Sequence, residues 1–173
     1  MRAVQKFLAI LAVALVAIGA ASVVAWPDEP CRIPPGARNF TLDKYAGLWY
    51  EIGKIQTAGG ADKTVTGKTI VANGTLTNTN ATNPARFTES FFPFTPKVAY
   101  NVIYLDEKYS IEYDCGQEAG ITNYCFHVLA RKPQVPEEDV QQLLQLAVRF
   151  DLNPKNIPFK PTKQQGCWNQ HQE

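Results

Sequence analysis

Apolar and polar residues alternate along the middle of the chain with the two-residue period of half-buried strands. In residues 85–92, Phe87, Glu89 and Phe91 share one face, while Arg86, Thr88 and Ser90 share the other. Residues 98–105 put Val98, Tyr100, Val102 and Tyr104 together, and residues 109–113 put Tyr109, Ile111 and Tyr113 together. Residues 48–55, the Thr/Val/Ile-rich 64–71 and 124–130 are predicted strands as well, the last apolar on both faces. Turn signals separate them at Asn73-Gly74, Asn83-Pro84, residues 93–96, Asp106-Glu107-Lys108 and residues 116–120. Short strands with tight connections predict an antiparallel meander, hence a barrel or a sandwich.

One segment changes period. Val140, Leu143, Leu144, Ala147 and Val148 form an apolar face at helical spacing. Pro136 suits the first helical position, Glu137, Glu138 and Asp139 complement the helix dipole, and Asn153-Pro154 ends the helix. A single amphipathic helix after the last long strand must pack outside the sheet and cover a second apolar sheet face. No internal repeat and no linker divides the chain.

The first 25 residues read differently. Arg2 and Lys6 precede an apolar run from Phe7 to Ala17, which fades into small residues, with Val23 and Ala25 at the −3 and −1 positions of a cleavage site. This pattern predicts a secretory signal peptide over 1–25 and a single domain over 26–173. The rival is a membrane anchor, since residues 7–25 are just long enough to span a bilayer; alanine and glycine in the second half favour cleavage. No other apolar stretch could span a membrane, so no stable membrane insertion is expected after cleavage. Residues 26–37 carry Pro27, Pro30, Pro34 and Pro35 and predict a stiff, extended tail.

Charge excludes one class of partner. With 17 basic and 16 acidic residues in 173, no basic face is available to neutralise phosphates, which argues against nucleic acid. The four cysteines, Cys31, Cys115, Cys125 and Cys167, all follow the leader, and secretion with an even count predicts two disulfides. The absence of CxxC spacing and the presence of only two histidines speak against a zinc cluster, so neither metal nor cofactor is expected. Asn39, Asn73 and Asn80 each begin an Asn-x-Thr acceptor tripeptide, the last two in a polar Asn/Thr stretch that reads as an exposed turn. No Ser/His/Asp order or paired-carboxylate motif stands out, so no enzyme is expected.

Asn39-Phe40-Thr41-Leu42-Asp43-Lys44-Tyr45, followed by Gly47-Leu48-Trp49-Tyr50-Glu51, resembles the first signature of the lipocalin family, Asn-Phe, a spacer and Gly-x-Trp. Phe126-His127-Val128-Leu129-Ala130-Arg131 resembles the third, a strand ending in arginine just before the helix. The second is partial: Leu105-Asp106-Glu107 stands where the family has Thr-Asp-Tyr, and only Asp106 matches. Tyr109-Ser110-Ile111-Glu112-Tyr113-Asp114-Cys115 looks like the following strand of apolipoprotein D-like members. The resemblance spans Cys31 to Cys167. It implies an all-β, up-and-down antiparallel barrel with one C-terminal helix packed outside.

Within that resemblance, Trp49 fills the closed end of the barrel and Arg131 stacks over its ring, a cation–π contact worth about 0.5–2 kcal/mol. Gly47 permits close backbone approach at the strand start. These residues and Asp106 are structural. Between Ile55 and Val98 a full lipocalin places four strands and a wide loop, but there is convincing material for only two. Residues 56–61 look like the loop that leads to the second strand, and the chain from Asp62 looks like the fourth. The expected barrel is therefore short of two strands: a shortened barrel, an open one, or a splice or gene-model variant that folds poorly.

The resemblance pairs Cys31 with Cys115, leaving Cys125 for Cys167, whose usual partner lies on the missing second strand. Cys115–Cys125 with Cys31–Cys167 is the rival pairing.

The resemblance also implies a small hydrophobic ligand inside the barrel: a lipid, sterol, retinoid, or tetrapyrrole or carotenoid pigment. Counting back by twos from Arg131 places Leu129, His127 and Cys125 inside. By resemblance, Tyr100, Val102 and Tyr104 line one neighbouring strand and Phe87, Glu89 and Phe91 the next. The same register puts Ser110 and Glu112 inside and turns Tyr109, Ile111 and Tyr113 toward the helix. The candidate ligand-binding set is Phe87, Phe91, Tyr100, Val102, Tyr104, Glu112, His127 and Leu129. His127 reads equally as a hydrogen-bonded core residue, and Glu112 needs a partner or solvent near the mouth. The aromatic residues suit a filled core as well as a pocket. Two other functions remain open: a filled barrel that binds or inhibits another protein, and a thiol-dependent lipocalin-type enzyme using Cys125, which two disulfides would remove. A cell-surface receptor and self-association are left open.

Overall fold

The computed structural model describes residues 27–57, 74–78, 80, 82–91 and 97–164. The predicted signal peptide, the predicted strand at 64–71, Asn73 and Cys167 lie outside the described residues.

The fold is built around one long hairpin. Strands β5 (Tyr109–Glu118) and β6 (Ile121–Ala130) pair without interruption from Tyr109↔Ala130 to Glu118↔Ile121. The turn predicted over 116–120 contracts to Ala119 and Gly120, with φ of 50° and 79°. Two successive positive φ values make a turn whose twist matches that of the strands, so pairing continues right up to it. The antiparallel order runs outward from this hairpin: β2 (Thr75–Asn78), β3 (Arg86–Ser90), β4 (Val98–Leu105), β5, β6, β1 (Tyr50–Gln56) and β7 (Lys160–Pro161). Among the described residues the sheet is not closed: β2 and β7 are its outer strands. Of the alternatives for a barrel short of two strands, the described sheet is the open one.

Strand β2 lies where an exposed turn was expected. Thr75–Asn78 pairs with β3, and all four residues are exposed. The connection is instead made around Asn80–Asn83, where side chains cap backbone donors: Asn78 Oδ1 accepts from Asn80 N at 3.1 Å, and Asn80 Oδ1 from Thr82 N at 3.0 Å. An Asn/Thr-rich sequence reads as a turn throughout, whereas here only its asparagine-capped half forms one.

Two cores lie on opposite faces of the sheet. On the outer face, Ile111, Tyr113, Tyr124, Phe126 and Val128 pack with Val140, Leu143 and Ala147 of α2 (Glu137–Arg149). Pro136 takes the N-cap position, one residue before the helix, and the three acidic residues fill the first turn as expected. The helix ends at Arg149; Asp151 has φ of 51°, and Leu152 is fully buried behind it. Val148, expected on the apolar face, is 74% exposed. The inner face holds Phe40, Ala85, Phe87, Tyr100 and Val102.

The Pro-rich arm is tied down as the tail reading anticipated. Cys31 and Cys115 are disulfide-bonded, with Cα atoms 5.7 Å apart, as the resemblance implied. The rival pairing of Cys115 with Cys125 is excluded by that bond. Asp28 Oδ2 holds Lys155 Nζ at 2.7 Å and accepts from Thr122 N at 2.9 Å, so the arm also bridges β6 to the segment after α2. Cys125 is a free, buried thiol. The expected bridge to Cys167 therefore departs from the structure at Cys125, a mid-strand residue that faces the inner surface.

Candidate functional site

The base of the inner face is closed by the signature residues. The Arg131 guanidinium lies 3.6 Å from the centre of the Trp49 ring. It donates to the carbonyl oxygens of Lys44 (2.8 Å), Ala46 (2.9 Å) and Leu48 (2.9 Å). These carbonyls lie in and just after α1 (Leu42–Tyr45), a single turn capped by Thr41 Oγ1. Trp49 Nε1 donates to Tyr45 O at 2.7 Å. Gly47 has φ of +99°, and a Cβ there would meet Arg131 Nη1 at 3.2 Å; positive φ as well as close approach requires glycine. Asp106 shapes the β4–β5 turn, where its Oδ1 accepts from Lys108 N at 2.7 Å and Tyr109 N at 2.6 Å.

Above the base sits an aromatic layer. Phe40 meets Phe87 edge-on with ring centres 5.7 Å apart, and Phe87 lies opposite Tyr100 in the β3–β4 pairing. Glu112 is buried beside them. It accepts a short hydrogen bond from Tyr45, whose hydroxyl also lies 2.9 Å from that of Tyr100. Burial pushes the Glu112 carboxyl pKa upward, although hydrogen bonds from Tyr100 and Tyr45 work against this. Burial and the adjacent carboxylate likewise raise both phenols. The pairing required of an inward glutamate is thus supplied by two tyrosines.

The next layer is polar. In the hairpin register Glu112 faces His127 and Asp114 faces Cys125, and all four lie on the inner face. His127 Nδ1 is 2.8 Å from Glu51 Oε2, and its Nε2 is 3.5 Å from Asp114 Oδ1. Glu51 also accepts from Thr162 Oγ1 at 2.7 Å and has Lys54 Nζ at 3.6 Å. Burial opposes the Glu51 charge, but the His127 and Thr162 hydrogen bonds outweigh it and hold the carboxyl at about 2. Burial likewise opposes a charge on His127, yet its contacts with Asp114, Cys125 and Glu51 raise its pKa well above the ordinary value. Burial pushes the Cys125 thiol pKa up.

Beyond this layer the inner face opens into a cavity of about 320 Å³, lined by Gln56, Thr57, Lys97, Val98, Asp114, Gly116 and Cys125 among others. A larger depression of about 400 Å³ lies on the outer side, between the β4–β5 turn and α2, lined by Tyr104, Asp106, Tyr109, Asp139 and Leu143. It touches none of the inward groups, so the inner cavity is the better candidate.

Bovine (Bos taurus) apolipoprotein D is 31% identical over an alignment of 176 positions that spans 86% of this chain and 90% of the relative. The chain belongs to the lipocalin family and is apolipoprotein D-like. Apolipoprotein D of Macaca fascicularis is 29% identical over 161 residues, covering 79% and 84% of the two chains. The solved bovine lipocalin allergen Bos d 2 shares the fold at 12% identity, with a TM-score of 0.54 over 70% of this chain and 94% of its own. No family model matches the chain.

Within this lipocalin, the alternation reading placed most lining residues on the face they occupy. Phe87, Tyr100, Val102, Glu112, His127 and Leu129 belong to the inner face, with Phe87, Tyr100 and Val102 packed in one cluster. Two expected members depart. Tyr104 pairs with Ile111 and packs toward the helix core, because the β4–β5 register shifts between Val102 and Tyr104 and Ile103 takes up the bulge. Its hydroxyl donates to Asp106 Oδ2 at 2.6 Å. Phe91 lies past the end of β3 and is 43% exposed. Of the sequons, Asn39 is exposed with φ of 56°, and Asn80 occupies the β2–β3 turn.

Sequence reading missed Tyr45, Glu51 and Asp114. Asp114 follows Glu112 by two on the same strand face, so its inward position was legible. Glu51 owes its contact with His127 to the β1–β6 pairing. On β6, Cys125-x-His127 places both side chains on one face, with Asp114 opposite Cys125 on β5.

Proposed function

We propose that this lipocalin is a secreted, non-catalytic carrier of a small hydrophobic ligand, held on the inner face of the sheet. The observation that carries the reading is the similarity to apolipoprotein D along 90% of the bovine protein. The relatives' name describes a lipid-associated protein, and a fatty acid, sterol, retinoid or pigment fits that chemistry. The inner cavity of about 320 Å³ lies at the small end of ligand sites, which run from roughly 300 to 1,000 Å³. Val98 and Tyr124 contribute apolar lining to it, while Phe87, Tyr100 and Val102 pack in a cluster outside its wall.

Secretion is supported by the leader pattern, by the Cys31–Cys115 bond and by the three sequons. Among the described residues no helix is long and apolar enough to cross a membrane. Burial of Cys125 and its raised pKa count against a thiol nucleophile, which needs a lowered pKa and access. A filled, ligand-free module is favoured by one observation: Phe40, Ala85, Phe87 and Val102 already fill the inner face near its base.

Native mass spectrometry of the protein purified from a secreting culture separates these readings. A co-purifying lipid, sterol or pigment near one per chain is the expected result. A ligand-free protein that also fails to quench with added retinol or a fluorescent fatty acid would establish the filled module instead.

A further inference from the structure

We propose that Asp114 Oδ1, Cys125 Sγ and His127 Nε2 bind a single divalent cation of the zinc type on the inner face. One sulfur, one nitrogen and one oxygen ligand from β5 and β6 suit zinc, and a water from the adjoining cavity completes a tetrahedron. The inference does not depend on the hydrophobic ligand.

Four observations support the site. First, the three donor atoms all lie within 4.8 Å of one another. Zinc bonds of about 2.0–2.3 Å place tetrahedral ligands roughly 3.3–3.8 Å apart, so rotamer shifts of about 1 Å close the site. The Asp114–His127 edge, at 3.5 Å, already has that length. Second, the positions are fixed by backbone pairing: Asp114 faces Cys125 in the register, and His127 is two residues along the same strand. Third, Asp114 Oδ1 is sealed from solvent and accepts no hydrogen bond among the described residues; its nearest cationic group is His127 Nε2 at 3.5 Å, whose proton a bound cation would replace. Fourth, the outer shell is in place. His127 is oriented by Glu51 through Nδ1 at 2.8 Å, which turns Nε2 toward Asp114, and Glu51 is itself held by Thr162. A carboxylate behind a ligating imidazole is the recurrent support for such a histidine.

The charges also suit a cation. Asp114, Glu51 and the Cys125 thiolate supply negative charge once the cation displaces the protons of His127 Nε2 and Cys125 Sγ to solvent, with Lys54 beside Glu51 as a countercharge. Cys125 is available because its thiol is not used in a bridge.

The test uses the intact secreted protein with cobalt(II) as a spectroscopic substitute for zinc. Expected are visible bands of a tetrahedral centre and a thiolate-to-cobalt charge-transfer band, both bleached by one equivalent of zinc. C125S should abolish the charge-transfer band, and D114N and H127Q should each weaken zinc binding at least tenfold. E51Q should weaken it about 10- to 100-fold while leaving the charge-transfer band in place. If a variant fails to fold, zinc-edge X-ray absorption on the unmodified protein decides: one sulfur at about 2.3 Å with nitrogen and oxygen at about 2.0 Å supports the site. Absence of sulfur in that shell, a cobalt spectrum without charge transfer, or a mapped Cys125–Cys167 disulfide would each overturn it. Zinc bound equally well by a folded triple variant would mean an adventitious ion only and would also overturn it.

Discussion

His127 Nδ1 lies 2.8 Å from Glu51 Oε2, joining β6 to β1 across the inner face. Both side chains are less than a third exposed, so solvent screens the contact weakly. A double-mutant cycle with E51Q and H127Q should give a coupling of about 1–3 kcal/mol by urea denaturation. A coupling near zero would show that the two groups are independently solvated.

Arg131 combines a ring contact with three carbonyl hydrogen bonds. Lysine keeps the charge but cannot fork to Lys44, Ala46 and Leu48 at once. R131K should lower stability by about 1–2 kcal/mol, read as a lower urea midpoint with unchanged slope. An unchanged midpoint would assign the closure of the base to Trp49 packing alone.

Ala119 holds φ of 50° in the first position of the β5–β6 turn. A left-handed conformation costs most residues about 1–2 kcal/mol, and asparagine tolerates it better. A119N should therefore raise the melting temperature, by a few tenths to about 1 kcal/mol in stability. A lower melting temperature would mean that the alanine methyl makes a contact worth more than the strain.

Tyr109 donates to Asp139 at 2.5 Å, and this hydrogen bond lifts its pKa from 10.0 to about 12. A folded-state pKa above the unfolded one adds stability that is complete below pH 10 and lost as the pH rises toward 12. The difference in stability between the unmodified protein and Y109F should therefore shrink across that interval. Because Tyr109 is solvent-accessible the effect is small, and a difference that grows with pH would reverse the assignment.

The two-residue period by itself determined much of the inner face. Leu129, His127 and Cys125 on β6, and Ser110 and Glu112 on β5, share one face because side chains alternate along every regular strand. The helix and its outer position were equally legible, since Val140, Leu143 and Ala147 need a second apolar surface to cover. The Gly47, Trp49 and Arg131 signature was legible as a closing device, but not the carbonyls to which Arg131 donates. Tertiary structure alone decided the rest. A bulge at Ile103 turned Tyr104 outward, and no local pattern encodes a register shift that depends on the partner strand. Thr75–Asn78 became a strand because β3 was there to pair with it. Asp114 faces Cys125 only because a two-residue turn at Ala119-Gly120 sets the hairpin register, and Glu51 reaches His127 only because β1 lies beside β6. The sequence specifies which face a side chain takes; the pairing of strands specifies which side chains meet.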